Sequence, residues 1–434
     1  MTSALLTDRY ELTMVDAARK SGTADRRSIF EVFARHLPNG RRYGIVAGTG
    51  RLLEQLSEFR FGDAELAWLR ENEVVDAATL DWLADYRFKG NVWGYREGEV
   101  YFPGSPILVV EGTFAEAVVL ETLSLSILNY DSAVASAASR MVTAADGRPL
   151  AEMGSRRATE RGAVAAARAA FVAGFSSTSN LEAGRTWGIP TMGTAAHSFT
   201  LLHDSEEDAF RAQVAALGPG TTLLVDTYDV TAAVDLAVRV AGPSLGAVRI
   251  DSGDLPGQAS AVRKQLDALG AKSTKITVTS DLDEYAIAAL QVAPVDSYGV
   301  GTSVVTGSGA PTAGMVYKLV ARVGDDGDWV SVAKKSAAKL SVGGRKFPVR
   351  SLRGGVATSE VLHVEDDPDA PSARADAGRP LLVPLVTDGI ADPRYLGAAG
   401  TALAREHRAV AVAELPVDAF RLARGEPVIP TVYE

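Results

Sequence analysis

Ala247-Val248-Arg249-Ile250-Asp251-Ser252-Gly253-Asp254-Leu255 is a short, mostly apolar run that gives way at once to an acidic turn. The same pattern recurs on either side of it. Thr222-Leu223-Leu224-Val225 ends in Asp226-Thr227-Tyr228-Asp229, and Lys275-Ile276-Thr277-Val278-Thr279 ends in Ser280-Asp281-Leu282-Asp283-Glu284. Ser297-Tyr298-Gly299-Val300 ends in Gly301-Thr302-Ser303. Between these runs, residues 230–240 and 258–269 carry apolar side chains every three or four positions, the period of an amphipathic helix. Short strands alternating with such helices predict βα units and a parallel sheet. In such a sheet every strand opens its carboxyl end on one face, where ligands bind. The four polar turns, far apart in the chain, are therefore expected to converge.

Ahead of this series, Gly193-Thr194-Ala195-Ala196-His197-Ser198 places one of five histidines just past a small-residue turn. A histidine held this way can be a base, a metal ligand or a phosphate acceptor, or it can merely satisfy its hydrogen bonds in a core. Asp226, closing a strand, is the residue best placed to accept the Nδ1 proton of His197, which would fix the tautomer and raise the basicity of the other nitrogen. Asp251 and Asp254 bracket a tight turn suited to gripping vicinal sugar hydroxyls. Asp281 is suited to holding a Mg²⁺-bound phosphate oxygen through water. For each aspartate the alternative is a helix cap after a strand. Arg156 and Arg157 follow Glu152-Met153-Gly154-Ser155, and Arg249 lies inside a strand. An arginine there is costly unless it meets an acid or an anionic ligand, and both readings stand. Gly299-Val300-Gly301-Thr302-Ser303 combines permissive glycines with hydroxyls and can cradle a phosphate. The run 334–341, with Lys334, Lys335, Ser336 and Lys339, continues into Gly343-Gly344-Arg345-Lys346. It is either a polyanion site, for a group such as pyrophosphate, or a solvated lysine face.

Composition narrows the classes. A chain of 434 residues, 47% hydrophobic, can build two or three domains around large cores. A formal net charge of -10 argues against a broad nucleic-acid-binding surface. With no cysteine, thiolate metal sites and cysteine nucleophiles are excluded. The first residues, broken by Asp8, Arg9 and Glu11, do not read as a signal peptide, and no stretch is apolar enough to span a bilayer. A soluble, cytoplasmic protein is expected. Neither a Walker-type loop nor His-Glu-x-x-His occurs. Strands are expected at 28–33, 91–95 and 107–112, and helices at 48–59 and, as one long element, at 116–141; residues 366–374 read as a surface loop. The predicted architecture is α/β: an irregular TIM-like barrel over 125–324, carrying most of the active site, and a discontinuous, sandwich-like mixed α/β domain from 1–124 plus 325–434.

Taken together these motifs resemble the nicotinate phosphoribosyltransferase family. Leu5-Leu6-Thr7-Asp8-Arg9-Tyr10-Glu11-Leu12-Thr13-Met14 is similar to its opening motif. Residues 152–158, 193–198, 225–229, 249–255, 301–306 and Tyr317-Lys318-Leu319 follow in family order. The resemblance implies a type II phosphoribosyltransferase fold and a homodimer with active sites at the interface. It implies transfer of phosphoribosyl from phosphoribosyl pyrophosphate to nicotinate, with Mg²⁺ and with ATP as co-substrate. By motif position, His197 is the residue phosphorylated transiently, and Tyr10 stacks on the pyridine ring across the dimer interface. Thr194, Arg156 and Arg249 surround nicotinate, with Arg249 on its carboxylate, and Asp251 grips the ribose. Asp281, Gly301 and Thr302 line the 5′-phosphate site. Lys334, Ser336 and Lys339 face pyrophosphate, although Ser336 and Lys339 are spaced more closely than the family's usual pattern. Amide-selective relatives carry an aspartate where this chain has Ser176-Ser177-Thr178-Ser179-Asn180, which favours the acid over nicotinamide. A barrel lyase or isomerase would place a lysine or a dedicated base at a strand end, where these strands carry aspartates. A binding protein without activity is the remaining class.

Overall fold

The computed structural model describes residues 4–334, 342–366 and 378–434. The chain divides into two compact units, one made of Met1–Ser136 with Ala310–Glu434, the other of Ala137–Gly309.

The Ala137–Gly309 unit is built on a six-stranded parallel sheet. Its strand order is Ser177–Thr178, Leu150–Glu152, Ser297–Val300, Lys275–Val278, Ala247–Ile250, Thr222–Leu224. Helices return the chain between strands. On Val230–Ala241 the buried residues Ala233, Val234, Ala237 and Val238 form a stripe at helical spacing, as do Ala259, Val262 and Leu266 on Leu255–Ala268. Each strand sends alternate side chains to opposite faces. Val248, Ile250, Ile276 and Val278 are fully buried, whereas Arg249 pairs in register with Thr277 and shares its face with Asp251 and Thr279. That alternation puts polar side chains from neighbouring strands on one surface.

The other unit holds a seven-stranded antiparallel sheet. Its order is Trp329–Ser331, Met315–Val323, Arg27–Ala34, Leu108–Thr113, Asn91–Tyr95, Leu382–Thr387, Ile390–Ala391. A four-stranded sheet, Arg379–Pro380, Arg345–Arg353, Val356–Glu365, Thr431–Tyr433, and a two-stranded one, Gly44–Ile45 with Val100–Tyr101, belong to the same unit. Phe30 and Tyr317 stack at 4.9 Å between ring centroids in its core. Met315–Val323 pairs antiparallel with Arg27–Ala34, so the parallel unit stops at Gly309, short of residue 324.

Two expectations change. The long helix expected at 116–141 is two helices, Phe114–Val118 and Glu121–Ala145. Thr113 and Glu116 close a reciprocal capping box on the first, and Glu11 accepts the Thr122 N–H at 2.8 Å in the opening turn of the second. A donor stranded by the break is thus satisfied from a distant part of the chain. The basic run also divides. Lys346 and Glu31 form a buried ion pair at 2.7 Å, and Arg345 pairs with Glu111, so these two cations neutralise core carboxylates and are not part of a polyanion site. Lys334 is exposed; Ser336, Lys339 and most of 366–374 lie outside the described residues.

Candidate active site

Arg156, Arg157, Thr194, Arg249, Asp251, Asp281, Gly301 and Thr302 line one cavity of about 560 Å³ at the carboxyl ends of the parallel strands. Arg249 is held on three sides. Its Nε donates to Thr279 Oγ1 (2.8 Å), Nη1 to Thr194 Oγ1 (3.0 Å) and to the Ala195 carbonyl (3.3 Å), and Nη2 to Asp251 Oδ1 (2.8 Å). A guanidinium has five N–H groups, so one Nη2 hydrogen is left for a ligand. Its other four N–H groups fix the side chain. Arg156 and Arg157 are exposed on the lining, and their side chains make no hydrogen bond or ion pair with the described residues.

Asp251 accepts from Arg249 and from the Thr279 hydroxyl. Burial works against its charge, but the hydrogen bonds from Thr279 and Arg249, with the charges of Arg249 and His197 nearby, outweigh it and hold the carboxyl below the usual aspartate range. Gly253, at φ +86°, permits the tight turn that follows. Asp254 stands at the N-cap position of Leu255–Ala268, exposed, and is not among the lining residues. Asp229 and Asp283 cap helices, accepting from Ala232 and from Tyr285 and Ala286. For these two the capping alternative is the correct reading.

Asp226 is not a cap. Its side chain is 2% exposed; Oδ2 accepts the Asp251 N–H (2.9 Å) and the Ser252 hydroxyl (2.7 Å), while Oδ1 faces His197. The ring nitrogen it meets is Nε2, at 3.2 Å, not Nδ1 as expected. His197 opens the helix His197–Leu202, and the far side of its imidazole is the side that reaches the neighbouring strand end. With Nε2–H donated to Asp226, the lone pair resides on Nδ1. The ring, 40% exposed, directly follows Ala196 of the cavity lining.

Tyr10 and Lys334 are residues of the mixed unit. Tyr10 is in the first turn of Arg9–Ser21, where burial and the carboxylates of Glu121 and Glu11 push its phenol up to about 12.

A family model for the nicotinate phosphoribosyltransferase (NAPRTase) N-terminal domain matches residues 5–129. Nicotinate phosphoribosyltransferase pncB1 of Mycobacterium tuberculosis (strain ATCC 25618 / H37Rv) is 56% identical over 99% of this chain and 95% of its own length. The chain belongs to the nicotinate phosphoribosyltransferase family. The Bacillus subtilis (strain 168) nicotinate phosphoribosyltransferase is 36% identical over 80% of this chain and 73% of its own. Among solved structures, human nicotinic acid phosphoribosyltransferase aligns over 99% of this chain and 97% of its own with a TM-score of 0.82 at 27% identity.

Three residues of this family member escaped the sequence reading. Thr279 bridges Arg249 and Asp251; only its place two residues after Thr277 on a polar strand face pointed to it. Ser280, also on the lining, holds φ +132°, a conformation that favours glycine. Glu152 is fully buried at its strand end, accepting the Thr178 hydroxyl (2.6 Å) and the Gly154 N–H, and burial pushes its carboxyl up against those two bonds. Residues 176–180 carry no acid of their own, but Thr178 is bound to one from the next strand.

Proposed function

We propose that this chain joins nicotinate to 5-phosphoribosyl 1-pyrophosphate, giving nicotinate mononucleotide and pyrophosphate in NAD biosynthesis, and that ATP hydrolysis is coupled to the transfer through a transient phosphohistidine at His197. The observation that carries this reading is the convergence of three arginines, Asp251 and Asp281 on one cavity beside the His197–Asp226 pair. Three guanidiniums on the lining suit the acid better than the amide. Arg249 offers one N–H to the carboxylate, and a second donor comes from Arg156 or Arg157 across the lining.

As the pyridine nitrogen bonds to the anomeric carbon, the bond to pyrophosphate breaks and its electron pair leaves with the phosphate oxygen. Positive charge develops on the ribose ring, and ionised Asp251 is the carboxylate placed to stabilise it. Gly301, without a side chain, and the Thr302 hydroxyl receive the 5′-phosphate. Mg²⁺, when bound, neutralises the leaving pyrophosphate. Such an ion uses substrate oxygens and one or two protein carboxylates; Asp281, exposed on the lining, fits that role, and no cluster of three His, Asp or Glu among the described residues forms a cage. In the ATP half-reaction the Nδ1 lone pair of His197 attacks the γ-phosphorus and ADP departs, while Asp226 stabilises the charge left on the ring. The same reading expects a cytoplasmic homodimer in which Tyr10 of one copy serves the site of the other and Lys334 faces pyrophosphate.

The test supplies the purified chain with phosphoribosyl pyrophosphate and Mg²⁺, and compares nicotinate with nicotinamide, with and without ATP. Nicotinate mononucleotide as the main product, with a yield raised by ATP, is expected; the amide mononucleotide as main product contradicts the substrate assignment. His197→Ala should lose the ATP effect while ATP-independent turnover stays measurable.

A further inference from the structure

Arg249 and Asp251, the residues assigned to nicotinate and to ribose, are joined by a third side chain that neither role explains. Thr279 follows the strand Lys275–Val278 and is 3% exposed. Its hydroxyl has one hydrogen, which goes to Asp251 Oδ1, and its oxygen accepts Arg249 Nε at 2.8 Å. Arg249 Nη2 closes the cycle on the same Asp251 oxygen at 2.8 Å. The threonine cannot easily turn away. Its methyl faces Gly299 of the adjacent strand, where an added Cβ would sit 2.6 Å from Thr279 Cγ2 and 2.6 Å from Met153 Sδ. A β-branched side chain has few χ1 choices, and here packing against a bare glycine leaves the one that points the hydroxyl between the two charges.

We infer that Thr279 is a positioning residue that determines acid specificity: its hydroxyl, wedged between Arg249 and Asp251, sets the direction in which Arg249 presents its remaining N–H to the cavity. The inference rests on the assignment of nicotinate as substrate. Without the hydroxyl, Nε loses its acceptor, and the guanidinium, held now only through Thr194, Ala195 and Asp251, can tilt about those remaining bonds. It would then meet the substrate carboxylate in several orientations. An uncharged ring substituent draws less on that N–H, so the amide should suffer less than the acid. Asp251 loses the bond from Thr279 but keeps the ion pair with Arg249, so binding of the ribose substrate should weaken less than that of nicotinate.

The experiment is steady-state kinetics of the full chain and of Thr279→Val and Thr279→Ser, with nicotinate and with nicotinamide, alongside thermal melting. Thr279→Val removes two charge-assisted hydrogen bonds, and loss of the one from Arg249 alone corresponds to roughly a tenfold effect or more. Thr279→Val should raise KM for nicotinate about tenfold, narrow the acid-to-amide preference by a similar factor, and move KM for phosphoribosyl pyrophosphate by a smaller factor. Thr279→Ser, retaining the hydroxyl, should recover most of the preference. If valine is not accepted by the fold, Thr279→Ala removes the same hydroxyl without new bulk and serves the same test. An equal loss on both ring substrates, or an unchanged KM for nicotinate, would overturn the inference even though the unaltered chain prefers nicotinate. Failure of the unaltered chain to use nicotinate would instead overturn the assigned activity, and the inference with it.

Discussion

Asp226→Asn changes one heavy atom and should slow the ATP half-reaction. Asp226 Oδ2 accepts two hydrogen bonds, from the Asp251 N–H and the Ser252 hydroxyl, whereas Oδ1 accepts one, from His197 Nε2. The asparagine oxygen will take the place of Oδ2, where it keeps two bonds, and the amide nitrogen will face His197. Two donors then confront each other unless the imidazole moves its proton to Nδ1, which removes the lone pair that attacks phosphorus. A charge-assisted bond is worth about 1.5–3 kcal/mol, so phosphorylation should slow by about 10- to 150-fold from that loss alone. Stability should fall by only about 1 kcal/mol, because the two bonds to the 251–252 turn survive. Asp226→Ala, which orphans those donors, should cost several times more. Rapid-quench labelling with γ-³²P ATP, resolved under alkaline conditions, measures phosphohistidine formation, and a melting curve run in parallel reports stability. An asparagine variant that labels as fast as the unaltered chain would refute the tautomer argument.

Further expectations concern strain, protonation and the divided basic run. Ser280→Gly should stabilise the chain by about 1 kcal/mol, the relief of a strained φ less the extra entropy of an unfolded glycine, and should appear as a higher melting temperature. Burial pushes the Glu11 carboxyl up to about 7 against the bonds from Thr122 and Thr7. Its contribution to stability is therefore complete below about pH 4.5 and is lost as pH rises through about 7, because over that interval the folded chain holds a proton the unfolded chain has released. Glu11→Gln should gain on the unaltered chain by on the order of 2 kcal/mol between pH 4.5 and 8 in urea titrations, and an offset equal at both pH values would contradict this. Lys346→Met strands the buried Glu31 and should cost about 3–5 kcal/mol by denaturant unfolding, whereas Lys334→Met, at an exposed position, should cost less than about 0.5 kcal/mol.

The parallel unit was legible because its strands are short and apolar and each ends in a polar turn. Once such strands are parallel, the meeting of Asp226, Asp251, Asp281 and Gly301 follows from topology. What escaped the sequence depends on which atom faces which. Thr277 and Thr279 read as ordinary β-formers, and only the register of Thr277 against Arg249 shows that the second hydroxyl lies between two charges. The His197 ring nitrogen used by Asp226 depends on where a helix begins, which spacing cannot resolve. Arg345 and Lys346 are indistinguishable from Lys334 by composition, yet their carboxylate partners come from strands far away in the chain. The break before Glu121 carries no glycine or proline, since the donor it exposes is satisfied by Glu11. The capping box at Thr113 and Glu116 was a readable signal for the first of the two helices.

The most direct test of the account is a crystal structure of the chain with nicotinate mononucleotide bound. The carboxylate is predicted within hydrogen-bonding distance of Arg249, the ribose hydroxyls on Asp251 and the 5′-phosphate against Gly301 and Thr302. A nucleotide seated elsewhere, with the cavity at the parallel strand ends left vacant, would contradict it.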